Sequence, residues 1–330
     1  MSKKKLTTSV FDTYLHFKDR SGTLALQFSP KKNSVMKKYV ITGSLGHINK
    51  PLVAGLIQAK KDVTVITRDA GKVKEIEALG AKALVGSVSD QAFVNRAFRG
   101  AEVVYAMIPP LWQTDNWRQA QDEVGHAYAD SIKTNRVPFV VNLSSVGAHL
   151  SEGCGPVNAL HAFEASLNRI DGLHVKHLRP VSFYYNLLNQ IGMIKAAGIM
   201  GNNYGGQKIA MVHTNDIAEV ALEELTQLQF TAHSVRYIVS DLRTGDEIAQ
   251  VLGEATGKKF PWVVFSDEDH LKGLLQAGIP ASHAIPFVEM GTALRTGRMQ
   301  EDLLKHLPAL APTKLEQFAK EFAAAFAASN

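Results

Sequence analysis

The sequence predicts an α/β fold built on a doubly wound parallel sheet, and three observations carry that expectation. Between residues 37 and 180, short β-branched runs alternate six times with stretches of helical composition. The runs are apolar almost throughout, as strands buried on both faces are, and do not alternate polar with apolar. The first run passes directly into a glycine-containing turn, Gly43-Ser44-Leu45-Gly46-His47-Ile48-Asn49, that opens the first helical stretch. Parallel strands require crossovers of one hand, so repeated strand–helix units place helices on both faces of a single sheet.

Element by element, strands are expected at 39–42, 63–67, 83–86, 102–106, 139–143 and 175–178. Helices are expected at about 50–59, 73–79, 91–98, 116–135 and 158–169. Pro109 and Pro110 end the fourth strand, since proline cannot continue a hydrogen-bond ladder. Past Pro180 the rhythm loosens. Residues 217–225, 246–256 and 314–327 read as helices and 236–240 as a strand. The resulting division is an appended arm over 1–36, a Rossmann core over 37–185, and a smaller substrate-covering region over 186–330 interleaved with the core.

Composition narrows the class. The formal charge is +5 over 330 residues, and the basic residues are scattered, which argues against nucleic acid as a partner. Cys154 is the sole cysteine, so an intrachain disulfide is impossible. The basic start, Lys3-Lys4-Lys5, resembles a signal peptide, but Asp12, His16, Lys18, Asp19 and Arg20 interrupt the apolar region that would have to follow. No apolar run reaches the roughly 20 residues of a membrane span, and a cytoplasmic location is expected. The twelve histidines are dispersed without zinc-ligand spacing, so no metal site is expected.

The glycine turn carries the chemistry. A helix N-terminus offers unpaired N–H groups and about half a positive charge, and glycines remove the Cβ atoms that would keep a phosphate away. Thr42, Gly43, Leu45, Gly46, His47 and Ile48 are therefore expected to line a dinucleotide. The spacing is Gly-x-x-Gly-x-x-Asn, so Asn49 replaces the third glycine and costs some closeness between helix and strand. Cofactor choice is made at the end of the second strand, where an acidic residue suits the ribose hydroxyls of NAD and arginine suits the 2′-phosphate of NADP. Arg68 stands there, so NADP is expected with NAD as the alternative, Asp69 being the countervailing residue. Lys72 and Lys74 read as a solvated helix face. Ser87, Met107, Ile108 and Pro109, at the ends of the third and fourth strands, complete the expected cofactor contacts.

With these residues in place the chain resembles the NmrA-like branch of the atypical short-chain dehydrogenases. The resemblance rests on Ile41-Thr42-Gly43-Ser44-Leu45-Gly46-His47-Ile48, Thr67-Arg68, Asn142-Leu143-Ser144-Ser145, Leu178-Arg179-Pro180 and His213-Thr214-Asn215-Asp216-Ile217-Ala218, in order from about residue 37 to 270. It implies an NAD(P)-binding core and either an NADPH-dependent reductase of quinones and related compounds or a redox-sensing regulator. Short-chain reductases use a Tyr and, four residues on, a Lys; at the corresponding positions stand Val157 and His161. Two other Tyr-x-x-x-Lys matches, Tyr14 with Lys18 and Tyr204 with Lys208, lie before the core and past the sixth strand and read as accidental.

Ser144, following a buried strand, either hydrogen-bonds a substrate carbonyl or caps a turn, as Ser145 also could. His161 is the candidate proton donor, with Glu164 one turn on either orienting it or meeting solvent. Tyr184 and Tyr185, after Arg179-Pro180, are the candidates to face a flat substrate. Two functions follow: a reductase transferring hydride to a small carbonyl or quinone without the usual Tyr/Lys pair, or a non-catalytic NADP(H) sensor acting through a protein partner. A homo-oligomer is left open.

Overall fold

The computed structural model describes residues 37–111 and 113–329; the arm expected over 1–36 lies outside the described residues. Six strands follow the expected order: β1 (Lys38–Ile41), β2 (Asp62–Thr67), β3 (Lys82–Val85), β4 (Val103–Met107), β5 (Phe139–Leu143) and β6 (His174–Pro180). The intervening helices are α1 (Asn49–Gln58), α2 (Val73–Ala78), α3 (Gln91–Ala97), α4 (Trp117–Asn135) and α5 (Asn158–Asn168). Beyond β6 come β7 (Ser182–Phe183), α6 (Ile191–Ala197), β8 (Met200–Asn202), β9 (Ile209–Val212), α7 (Thr214–Gln227), β10 (His233–Ile238) and β11 (Asp241–Arg243). The chain finishes with α8 (Gly245–Thr256), β12 (Trp262–Val264), α9 (Asp267–Gln276), α10 (Ala281–Arg295), α11 (Glu301–Lys305) and α12 (Leu315–Ala328).

The central sheet has seven parallel strands in the order β10-β6-β5-β4-β1-β2-β3. Its outermost member, β10, joins the sheet from the later half of the chain and begins three residues before the strand expected at 236–240. Two smaller sheets, β11-β9-β7 and β12-β8, stand beside it. One face is covered by Leu52, Val53 and Leu56 of α1 and by Ile217, Ala221 and Leu225 of α7. The other is covered by Val94 of α3, Val124, Tyr128 and Ile132 of α4, and Phe163 and Leu167 of α5. Strands such as Val40–Ile41 and Val103–Ala106 are wholly buried because each face meets one of these helix layers.

One buried ring inside the sheet is paired through both of its nitrogens. His177 on β6 is buried between two amides: Asn142 Nδ2 lies 3.0 Å from its Nδ1, and its Nε2 lies 2.9 Å from Asn168 Oδ1. The neutral ring with its proton on Nε2 satisfies both contacts. Burial lowers the His177 pKa to about 4. The unfolded chain takes up this proton near pH 6.5 and the folded chain does not, so stability falls as pH drops from about 6.5 to about 4. That single group contributes up to about 3 kcal/mol across the window. An NMR titration should show the His177 imidazole still neutral at pH 5; a midpoint near 6.5 would contradict this account of its burial.

Candidate functional site

In the strand order above, the chain crosses from β3 to β4 on the far side of β1, so the crevice at the carboxyl ends of β1 and β4 is the topological switch point, where open α/β sheets bind ligands. The glycine turn occupies that crevice. Gly43 has φ +91° and Ser44 φ +57°, two consecutive left-handed residues that fold the chain back from β1. A Cβ on Gly43 would lie 2.0 Å from the Met107 methyl carbon, whereas a Cβ on Gly46 would meet nothing within 4 Å. The first turn of α1 contains no acid, and Pro51 within it lacks an N–H that the helix could not have paired. Open space, a helix N-terminus and the absence of negative charge fit a pyrophosphate.

Asn49 does not loosen this turn. Its side chain is buried, and Nδ2 donates to Thr42 O and to Ser44 O, both at 2.8 Å. Ser44 is held further by its N–H on Ile66 O at 2.9 Å and its hydroxyl on Thr67 Oγ1 at 2.8 Å. To the expected loss of close packing at this position the structure adds hydrogen bonds: an amide stands where a third glycine would pack.

The remaining cofactor candidates divide by which part of each residue is available. Thr42 is fully buried and its hydroxyl joins β1 to β4, donating to Met107 O at 3.2 Å and accepting from Met107 N at 2.8 Å. The side chains of Leu45 and Ile48 belong to the core beneath the turn, so these three residues shape the turn from behind. Met107 lies against Gly43, and Ile108 is buried beside the half-buried Pro109. The Ser87 hydroxyl accepts from Ser89 N at 3.2 Å and so caps its own turn. At the end of β2, Asp69 is engaged in accepting from Gly71 N at 2.8 Å. Lys72 pairs with Glu75 at 2.8 Å, and Lys74 is exposed. Arg68 is exposed and forms no ion pair among the described residues. Lys74 likewise forms no ion pair among the described residues, but it lies on α2, whereas Arg68 directly follows β2.

Ser144 closes β5, its N–H donating to Leu178 O at 2.8 Å. Its hydroxyl is buried and has no hydrogen-bond partner among the described residues, which does not fit a turn cap. His161 is half-buried on α5 with Nδ1 2.9 Å from Ala148 O; a carbonyl can only accept, so Nδ1 carries a proton. Glu164 neither orients His161 nor faces solvent. It forms a two-pronged pair with Arg179, Nε to Oε1 at 3.0 Å and Nη2 to Oε2 at 2.7 Å, inside the protein. Val157 is core.

The two tyrosines part company. Tyr184 is fully buried, stacked on Phe318 at 5.6 Å, and is corrected from substrate contact to packing residue. Tyr185 is 41% exposed and lies against His47 of the glycine turn, ring centroids 4.0 Å apart. Tyr204, of the accidental motif, sits beside Trp262 at the end of β8, with burial raising its hydroxyl to about 12.

One helix packed against α4 was not foreseen. Pro286 stands inside α10 and cannot donate to Ser282 O four residues earlier. Trp117 Nε1, at the start of α4, donates to that freed carbonyl at 2.8 Å. On its other side α10 approaches the turn after β5 so closely that a Cβ on Gly155 would lie 2.1 Å from Pro286 O. The proline that argues against a helix in the sequence is what docks α10 onto the loops following β4 and β5.

A doubly wound sheet with an anion-ready turn at its switch point defines a Rossmann-type α/β protein. The chain belongs to the NmrA-like family, whose model matches residues 36–321. It is 24% identical over 295 residues to an NAD(P)H azoreductase of Xenophilus azovorans, covering 88% of this chain and 99% of that protein. Among solved structures it is similar to the Citrobacter sp. triphenylmethane reductase complexed with NADP(H), at 20% identity, TM-score 0.71, and 86% and 99% coverage of the two chains. It is equally similar to the NADPH-dependent quinone oxidoreductase of Escherichia coli complexed with NADPH, at 18% identity, TM-score 0.71, and 86% and 99% coverage. Among the described residues no helix is long and apolar enough to cross a membrane, and no three His, Cys, Asp or Glu side chains gather as metal ligands.

The two glycines should respond differently to alanine. Gly43→Ala must hold an alanine at φ +91°, a loss of about 1–3 kcal/mol visible in urea denaturation. Gly46→Ala places its methyl in open space and should leave stability within about 0.5 kcal/mol while weakening NADP(H) binding in a fluorescence titration. Equal stability losses in both variants would contradict the assigned turn geometry.

Proposed function

We propose that this chain is an NADP(H)-dependent reductase of a small carbonyl or quinone-type acceptor. The observation that carries the reading is the pairing of an open, acid-free glycine turn with an unpaired Arg68 on one side and an unpartnered, buried Ser144 hydroxyl on the other. Relatives named for NAD(P)H-dependent reduction of azo compounds and quinones support it.

The N-terminus of α1 and the N–H groups of residues 45–48 would hold the pyrophosphate, and Arg68 the 2′-phosphate. The bound nicotinamide supplies the hydride. The protein's part is orientation and protons. Ser144 Oγ is buried where a hydrogen bond to a substrate oxygen would replace its missing partner, and such a donor strengthens as charge develops on that oxygen. His161, fixed through Nδ1 on Ala148 O, leaves Nε2 to accept or pass on a proton. A quinone needs little more, because its product oxygen can also draw a proton from water. Tyr185 on His47 would form the outer wall beside the turn.

The absence of the Tyr/Lys pair favours the second reading, a cofactor-binding sensor, and kinetics separates the two. Purified protein should consume NADPH with quinones or azo dyes. Ser144→Ala should lower kcat about 100-fold with the dissociation constant for NADPH unchanged. Arg68→Ala should weaken NADPH about 10- to 100-fold and NADH little. Tight NADPH binding with no turnover across the panel would replace the reductase with the sensor.

A further inference from the structure

We infer that Asn49 is the positioning residue of the cofactor turn, taking over by hydrogen bonding the function that a third glycine would serve by close packing. This rests on the proposed binding of NADP(H) at the turn. The two hydrogens of one amide nitrogen have two acceptors, Thr42 O and Ser44 O, each at 2.8 Å. Those carbonyls flank Gly43, at the first of two consecutive left-handed residues. Such a pair is strained for Ser44, which carries a side chain, and persists only where neighbouring groups fix it. The Asn49 amide fixes both ends of the reversal at once. With the carbonyls drawn inward onto Asn49, the peptide units of the turn are set in orientation before any ligand arrives, which is the condition for N–H groups to meet a phosphate without reorganisation.

The orientation of the amide is not in doubt chemically, because two carbonyl acceptors demand the nitrogen. Its oxygen Oδ1 is then left buried without a partner among the described residues. An unpaired buried acceptor is unfavourable, so the residue is not retained for packing alone; an apolar side chain of similar size would avoid that cost and lose the clamp. Gly43 is near enough to feel the clamp directly, as a Cβ there would lie 3.2 Å from Asn49 Nδ2. The glycine, the left-handed serine and the asparagine form one unit.

The test uses three variants of the full chain and two ligands. Asn49→Ala removes the clamp, Asn49→Asp replaces the donor with an acceptor facing two carbonyls, and Asn49→Ser keeps one donor. NADPH spans the turn, whereas adenosine 2′-monophosphate carries the adenine and 2′-phosphate without a pyrophosphate. In calorimetric titrations, Asn49→Ala and Asn49→Asp should bind NADPH at least 10-fold more weakly, with Asn49→Ser between them and the wild type. Adenosine 2′-monophosphate should bind all four proteins within about twofold, a selectivity that general loss of structure would not produce. NADPH affinity unchanged in Asn49→Ala, or both ligands weakened equally, would overturn the inference. Wild-type protein that fails to bind NADPH would instead overturn the cofactor assignment itself.

Discussion

The chain must leave β1, reverse, and start α1 without filling the space in front of the helix, and the cofactor half of the molecule is organised around that constraint. Two left-handed residues make the reversal, and the groups around them hold it: the Asn49 amide on the flanking carbonyls, Thr67 on the Ser44 hydroxyl, and Ile66 O on its N–H. Thr42 ties the base of the turn to the end of β4, and Met107 leans against Gly43 from that strand. Because β1 and β4 are neighbours in the sheet, the turn is registered against the segment that continues β4 toward α4. The position of the crevice therefore follows from strand order, and its shape from a handful of hydrogen bonds.

A division of labour follows between side chains that face inward and backbone that faces outward. Leu45 and Ile48 anchor the turn in the core, and their peptide groups are what a ligand would meet. On the opposite wall the sheet ends in Ser144, whose hydroxyl is buried without a protein partner, and β5 continues into the loop that fixes His161. The Glu164–Arg179 pair, buried between α5 and β6, holds the helix that carries His161 against the sheet. Arg179 also reaches Asp302 at 3.3 Å, whereas removing Arg179 would strand the Glu164 carboxylate in the interior, so the pair's role is architectural rather than chemical. α10 packs against the start of α4, where Trp117 donates to the Ser282 carbonyl that Pro286 leaves unpaired within the helix.

Much of this was legible in the sequence, and the remainder was hidden for physical reasons. Six strands and five helices were readable because burial on both faces forces continuous β-branched runs, and α4 begins within a residue of its expected start. The seventh strand was placed in the later region and not in the central sheet: β10 is an edge strand with an exposed, partly polar face, and edge pairing leaves no apolar signature. β7, β8, β9, β11 and β12 are two to four residues long, too short for periodicity. Pro286 concealed α10. Among site residues, Ser144, Arg68 and the glycines stood out by chemistry and position. Tyr184 and Tyr185 could not be separated, since adjacent residues differ only in which way the backbone turns them. Asn49 was read only for the closeness it costs, because its two carbonyl partners are brought within reach of one amide only by the folded turn.

A pyrophosphate seated on the clamped turn would be seen in a crystal structure of the complex with NADP⁺. Pyrophosphate oxygens are expected at about 3 Å from the N–H groups of residues 45–48. The 2′-phosphate is expected against Arg68, and the Asn49 amide on Thr42 O and Ser44 O as it stands without ligand. A dinucleotide bound with its phosphates away from this turn, or an Asn49 side chain swung out to contact the ligand, would contradict this seating.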